Sequence, residues 1–249
     1  MAARMSAVDG ILFLHAFPLD ARMWAPQRAA LERETKVVAV NLPGFGGTQA
    51  VGNVMSMSTA ADRAAAAAHR AGMRKALVCG LSMGGYVALA LWRGHQDLVG
   101  GLVLANTKAE ADDAAGKERR AQLATRLRAE GSGFLVENPP RLLSEHASPD
   151  LWKRVQDLIA AQPPNSIAAA SLGMAERPDS TPDLAKINVP TLVITAEHDT
   201  VIPPSASKSL AEGIKGAQFE TIANAGHLSN LEAPEAFNKL LSGHLKRLK

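Results

Sequence analysis

Five short, mostly apolar runs recur along this chain, at residues 11–15, 37–40, 76–79, 102–105 and 192–195, each bounded by Gly, Pro, Asn or another polar residue. A sixth apolar stretch follows at 219–222. Runs of this kind are apolar on both faces. Separated by helical stretches, they fit a parallel sheet covered on both sides. Two such stretches, 59–72 and 83–96, read as helices. The alanine tract at 64–68 favours a close-packed helix with Gly72 as its stop, because alanine has the best helix propensity. With 249 residues the chain is long enough for one large domain with a full core.

The rhythm breaks after Ala105. Residues 107–188 carry amphipathic helical patterns at 117–130 and 150–161, punctuated by Pro139-Pro140 and Pro163-Pro164, and no convincing strand. Val189-Pro190-Thr191 then restarts the strands. The expected organisation is a core of residues 1–106 and 189–249 with a helical cap, 107–188, inserted after the strand ending near Ala105. Such a cap lies over the carboxyl edge of the sheet, where open α/β sheets bind ligands.

Composition narrows the function classes. Lys and Arg number 27 against 24 Asp and Glu, a net charge of +3, and the cations are scattered without interleaved aromatics. A nucleic-acid partner is not expected. No apolar run approaches the roughly 18–20 residues of a membrane span, and the segment 1–14 lacks the features of a leader. One cysteine, Cys79, excludes an intramolecular disulfide and fits a cytoplasmic location, where it reads as a small core residue. No His/Cys cluster has zinc spacing, and no phosphate-binding loop is present, so neither metal nor cofactor is implied.

The sharpest chemical signal is Gly80-Leu81-Ser82-Met83-Gly84-Gly85, placed between an apolar run and a helix. A G-x-S-x-G sequence in that setting puts a serine hydroxyl on a tight turn above the sheet. The flanking glycines let strand and helix approach, and the Met83 N–H, at the helix start, can donate to a developing oxyanion. A serine needs a base. Of seven histidines, His227, in Asn224-Ala225-Gly226-His227-Leu228 after the last apolar stretch, sits where a loop can reach the serine. His69, His95 and His244 read as surface residues of helices, His146 as a cap residue, and His198 as structural or solvent-facing. The base in turn needs a carboxylate. Asp199, after the run at 192–195, completes the chain order Ser82, Asp199, His227, with Glu197 a weaker rival. The end of the run at 102–105 offers Asn106, which carries no charge.

With these motifs the chain resembles the α/β-hydrolase family over nearly its whole length. His15-Ala16-Phe17-Pro18-Leu19-Asp20 is similar to the family's His-Gly oxyanion loop, and Asn41-Leu42-Pro43-Gly44-Phe45-Gly46-Gly47-Thr48 to its Asp-x-Pro-Gly-x-Gly-x-Ser segment. Ala16 and Asn41 depart from those patterns. The nearest resemblance is to small bacterial carboxylesterases and lactonases of the oxoadipate enol-lactonase type and to cofactor-free perhydrolases. It implies a mostly parallel sheet of about six strands with helices on both faces and without the family's N-terminal hairpin. It also implies the Phe17 N–H as a second oxyanion donor.

The expected function is a serine hydrolase acting on a small-molecule ester or lactone. Perhydrolysis, suggested by Pro18 directly after Phe17, carbon–carbon bond hydrolysis and a non-catalytic ligand sensor are the alternatives. For the substrate pocket the candidates are His15, Pro18, Phe134, Leu135, Trp152, Ile202 and Leu228, with Leu142 and Leu143 able to line it or pack the cap. Aromatics make up only 4% of the chain, which favours a small or medium substrate. The acidic run Glu110-Ala111-Asp112-Asp113 reads as a solvated helix start.

Overall fold

The computed structural model describes residues 7–248. Residues 1–6, part of the segment judged to lack leader features, and Lys249 lie outside the described residues. Six strands, β1 (Gly10–Leu14), β2 (Lys36–Val40), β3 (Ala76–Leu81), β4 (Val99–Ala105), β5 (Thr191–Ala196) and β6 (Gln218–Ile222), form one sheet in the order β2-β1-β3-β4-β5-β6. Every pair is parallel, so the sheet is more uniform than the mostly parallel one expected. The inner strands β1, β3, β4 and β5 are buried along their whole length, while the edge strands β2 and β6 are partly exposed. That is the burial that two-sided coverage requires.

Strand β4 begins earlier than the sequence suggests, because Gly100 and Gly101 look like turn residues. In the sheet they make room: a Cβ on Gly100 would come 2.6 Å from Val8, and one on Gly101 would come 2.6 Å from Leu248. Both chain ends of the described segment pack over this pair.

The helices follow in chain order: α1 (Ala25–Leu31), α2 (Met57–Arg70), α3 (Met83–Gly94), α4 (Ala114–Glu130), α5 (Gly133–Glu137), α6 (Pro149–Ala160), α7 (Pro164–Ala175), α8 (Pro204–Gly213), α9 (Ser229–Glu232) and α10 (Pro234–Lys246). From β1 the chain crosses to β2 on one side and then returns past β1 to β3 on the other. Right-handed crossovers of opposite direction place α1 on one face of the sheet and α2 and α3 on the other. Accordingly α1 packs with α10 and α2 with α3. The alanine tract serves this second contact: Ala60, Ala61, Ala64, Ala65 and Ala68 are all buried, and small residues let the two helices lie close. Ser56 caps α2 by accepting from the Thr59 N–H, and Gly72, at φ 70°, ends it.

Helices α4 to α7 lie between β4 and β5, with α4 packed on α7. This cap is fastened to the sheet domain at several points. The Met55 N–H donates to the Ala169 carbonyl at 3.0 Å, and Gln162 donates to Asp20 at 2.7 Å while accepting from the Gly46 N–H at 2.9 Å. Glu232 accepts from the backbone N–H of Ser144 and of Gly226 and from the Ser144 hydroxyl. Gly173 of α7 presses on the backbone of Met55: a Cβ there would stand 1.7 Å from the Met55 carbonyl oxygen. Backbone cannot yield as a side chain tip does. Gly173→Ala is therefore expected to lower unfolding stability by about 1–3 kcal/mol, measured as a lower urea midpoint at unchanged slope. An unchanged midpoint would mean that α7 is not seated this closely.

Candidate active site

The site starts from the sheet topology. Strands β1 and β3 are neighbours, with Leu14 opposite Gly80, and the chain leaves their carboxyl ends in different directions. Such a switch point opens a crevice. The loop after β1 carries Phe17 to its rim, and the turn after β3 carries Ser82.

Ser82 stands between β3 and α3 at φ 57°, ψ −116°, a backbone conformation that costs a residue with a side chain on the order of 1–3 kcal/mol. Close packing holds it there. A Cβ on Gly80 would lie 2.1 Å from the Gly84 carbonyl oxygen, and one on Gly84 would lie 2.1 Å from the Leu14 carbonyl oxygen. The Ser82 N–H donates to Ala105 at 2.9 Å, while its carbonyl accepts from the Gly85 N–H at 2.8 Å and from the Thr107 hydroxyl at 2.9 Å. With the backbone fully engaged, the side chain projects at the carboxyl edge. Met83 begins α3, so its N–H has no carbonyl one turn back to bond.

His227 lies on the loop between β6 and α9 and is almost completely buried. Its Nδ1 is 2.8 Å from Asp199 Oδ2, and the side chains are 1% and 0% exposed. Asp199 also accepts from the N–H groups of Val201 and Ile202, both at 2.9 Å, and from Asn106 Nδ2 at 2.9 Å. Burial alone would push its carboxyl up. The hydrogen bonds from His227, Ile202 and Asn106 outweigh burial and hold the pKa below the usual carboxylate value. A charged Asp199 fixes the Nδ1–H tautomer and leaves Nε2 free to work as a base. Glu197, the rival acid, instead accepts from the Asn224 N–H and takes no part in this pair.

Asn106 gains a role that the sequence reading did not give it. Its amide donates to Asp199, its carbonyl oxygen accepts from the Ser229 hydroxyl at 2.6 Å, and its φ of 46° turns it inward. Asparagine is among the few residues that tolerate this backbone region.

Ser82, His227 and Phe17 line one cavity of about 380 Å³, together with Tyr86, Lys108, Asp112, Gly116, Arg119, Arg120, Leu123, Leu142 and Ile202 among others. Of the expected pocket residues, Ile202 and Leu142 are there. His15, Pro18 and Leu228 are buried outside it. Leu135 packs in the cap, Phe134 lies under the Arg126 guanidinium, and Trp152 and Leu143 face a separate groove with Arg141 and His198. The cap meets the cavity through α4, α7 and the segment before α6 rather than through its aromatic residues. Tyr86 was missed although it stands four residues after Ser82, one helical turn along the same face.

Other histidine and acid assignments change as well. His244 is 3% exposed rather than a surface residue, packed under α10. His69 is exposed, His95 pairs with Asp62 at 2.8 Å, and His146 and His198 face each other at 5.7 Å outside the cavity. Within the acidic run, Asp113 caps α4 as expected, accepting from the Gly116 N–H at 2.7 Å. Asp112, however, is only 8% exposed and is held by Arg177 and Arg120. A buried guanidinium, that of Arg177, and the half-buried one of Arg120 close over it, so it is no solvated helix start. Burial alone would raise its pKa, but those hydrogen bonds hold the carboxyl far below the ordinary range.

Residues 11–240 match the model of the alpha/beta hydrolase family, and the chain belongs to that family. Among curated proteins it is 30% identical to 3-oxoadipate enol-lactonase 1 of Acinetobacter baylyi, over 96% of this chain and 89% of that one. Among solved structures it resembles a thermophilic esterase from Thermogutta terrifontis, with a TM-score of 0.93 and 38% identity over 98% of this chain and 92% of that one. The enol-lactonase of Burkholderia xenovorans LB400 gives a TM-score of 0.87 and 27% identity, covering 96% and 95% of the two chains. No helix among the described residues is long and apolar enough to cross a membrane.

His15 has a structural task beside this site. Its Nδ1–H donates to the Ala16 carbonyl and its Nε2 accepts from the Leu42 N–H, both at 3.0 Å, tying the loop after β1 to the loop after β2. Only the neutral ring can do both, and burial pushes its pKa down to about 4 from 6.5. The unfolded chain then binds more protons than the folded one between those values, so stability is complete above pH 6.5 and falls as pH drops toward 4. The ring accounts for on the order of 3 kcal/mol of that loss. Burial lowers the pKa of His244 as well, in the same sense. Urea midpoints from pH 7 to 4.5 should therefore decline steeply in wild type. In His15→Gln the decline should be shallower, from a lower starting stability, and an equal slope would show that the ring titrates normally.

Proposed function

We propose that this protein is a serine carboxylesterase or lactonase that cleaves a small ester or lactone through an acyl-enzyme intermediate. The observation that carries the reading is the serine on a strained turn facing the same cavity as His227, with Asp199 buried and hydrogen-bonded to that ring. The esterase and enol-lactonase relatives support it.

In this mechanism Ser82 Oγ attacks the scissile carbonyl while His227 Nε2 takes the hydroxyl proton. The carbonyl oxygen becomes an anion that the N–H groups of Phe17 and Met83 receive. Preorganised donors of this kind stabilise charge only as it develops. Collapse expels the alcohol, which leaves with the proton from His227, and acyl-Ser82 remains. Water then loses a proton to His227 and attacks the acyl carbon. The second tetrahedral adduct releases the acid, and Ser82 recovers its proton. Asp199 stays ionised throughout and stabilises the imidazolium. Residues 107–188 serve as the cap over a core of 1–106 and 189–249, and the substrate is a small molecule that needs no cofactor. A single unpaired cysteine fits work in the cytoplasm.

A cavity of about 380 Å³ suits a short acyl chain. A ladder of 4-nitrophenyl esters from acetate to decanoate should show a short-chain optimum. Ser82→Ala should cost about 10⁶ in kcat, and Asp199→Asn about 10⁴ because the ring loses its tautomer. Normal turnover by purified, folded Ser82→Ala would overturn the mechanism.

A further inference from the structure

Helix α3 carries a stripe of residues that starts at the turn of Ser82. Tyr86 follows four residues on, Ala90 four further and Arg93 three beyond that, spacings that keep all four on one face. Two cavities lie along this stripe. The catalytic one, of about 380 Å³, takes in Ser82 and Tyr86. The other, of about 290 Å³, takes in Tyr86, Ala90 and Arg93. The cap divides in the same way, with Met174 lining the first cavity and its neighbour Gly173 the second. Tyr86 is the one residue that lines both.

The ring between the cavities is fixed. Tyr86 is buried, and the Arg177 guanidinium lies 4.1 Å over its face. That guanidinium is itself anchored. Its Nη1 donates to the Met174 carbonyl at 2.7 Å, and its Nη2 to the Glu110 carbonyl and to Asp112 Oδ1, each at 2.9 Å. A ring clamped by a cation held in this way is a standing wall. The phenol oxygen makes no hydrogen bond among the described residues, so the volume of the ring is what divides the two spaces.

The second cavity offers mainly apolar surface, from Met57, Ala90, Ala109 and the ring itself. The Ser56 and Ser58 hydroxyls bond each other at 2.9 Å, and Arg93 donates to Asp183 and Ser180. With these polar groups engaged, an unbranched alkyl chain suits the space. We propose that the Tyr86 ring sets the length of substrate this protein accepts, by closing the catalytic cavity off from a second cavity that would otherwise receive a longer alkyl chain. The proposal rests on the hydrolase reading above and adds what limits its substrate. Removing the ring joins the two spaces along α3, and each helical turn gained adds about 5.4 Å of reach.

The test uses two ester ladders, 4-nitrophenyl alkanoates for the acyl side and alkyl acetates for the alcohol side. Each is read as a ratio of kcat/KM values, octanoate over butyrate and octyl over butyl. Wild type should favour the short member. Tyr86→Leu, which keeps an apolar side chain in place, should raise the ratio about tenfold in at least one ladder, chiefly through KM, and Tyr86→Ala should raise it further. Tyr86→Phe should leave the ratio as it is in wild type. Adding Ala90→Phe to Tyr86→Leu refills the second cavity and should bring the ratio back. A ratio that folded Tyr86→Leu and Tyr86→Ala leave unmoved in both ladders, one that Tyr86→Phe raises as far, or a gain that survives Ala90→Phe would overturn the proposal. Should wild type cleave no member of either ladder, the hydrolase reading falls on its own, and calorimetric titration with 1-butanol and 1-octanol decides the partition. A gain of about tenfold in octanol affinity in Tyr86→Leu, reversed by Ala90→Phe, supports it; affinity equal to wild type overturns it.

Discussion

The close approach of α3 to the carboxyl ends of β1 and β3 is the constraint on which the rest of the molecule hangs. Gly80 and Gly84 have no Cβ, so backbone meets backbone where a side chain would stand about 2 Å from a carbonyl oxygen. That contact forces Ser82 into a left-handed conformation, and four hydrogen bonds to its backbone, from or to Ala105, Gly85, Tyr86 and Thr107, keep it there. The strain, on the order of 1–3 kcal/mol, is carried by the sheet and helix on either side. Because the turn is over-determined, the Cβ that carries the hydroxyl has one place to be.

Around that turn, buried polar groups are satisfied in a chain rather than in isolated pairs. Ser229 donates to Asn106, Asn106 to Asp199, and Asp199 holds His227. An uncompensated carboxylate at 4% exposure would be costly, but four donors converge on this one. Glu232 works in the same way one loop further on, tying the backbone just before His227 to Ser144 of the cap. The loop that carries His227 and the segment before α6 thus share a fastening.

Much of the fold was legible in the sequence because it is written in local terms. Apolar runs, glycine turns and helical periods located six strands, and the order of Ser82, Asp199 and His227 followed from motifs a few residues long. What escaped is what depends on distant chain segments meeting. Gly100 and Gly101 look like a turn until Val8 and Leu248 are seen packing over them. Asp112 looks solvated until Arg120 and Arg177, eight and 65 residues away, close around it. The cap aromatics Phe134 and Trp152 drew attention because large apolar residues usually line pockets, yet the cap offers the cavity a helix face rich in arginine instead. His15 resembled a pocket residue because the loop it sits on reaches the cavity through Phe17; its own ring faces the other way, to Leu42.

The placement of that helix face divides the protein into parts that tolerate change very differently. Substitutions around Ser82 disturb a network in which nearly every atom is spoken for. Arg119, by contrast, is exposed on α4 and bonded to nothing among the described residues, and changes at such positions usually shift stability by under about 0.5 kcal/mol. Such positions can therefore change at little thermodynamic risk while the network around Ser82 stays fixed. A lineage with this architecture can vary the outward side of one helix by single mutations without disturbing the turn beneath it.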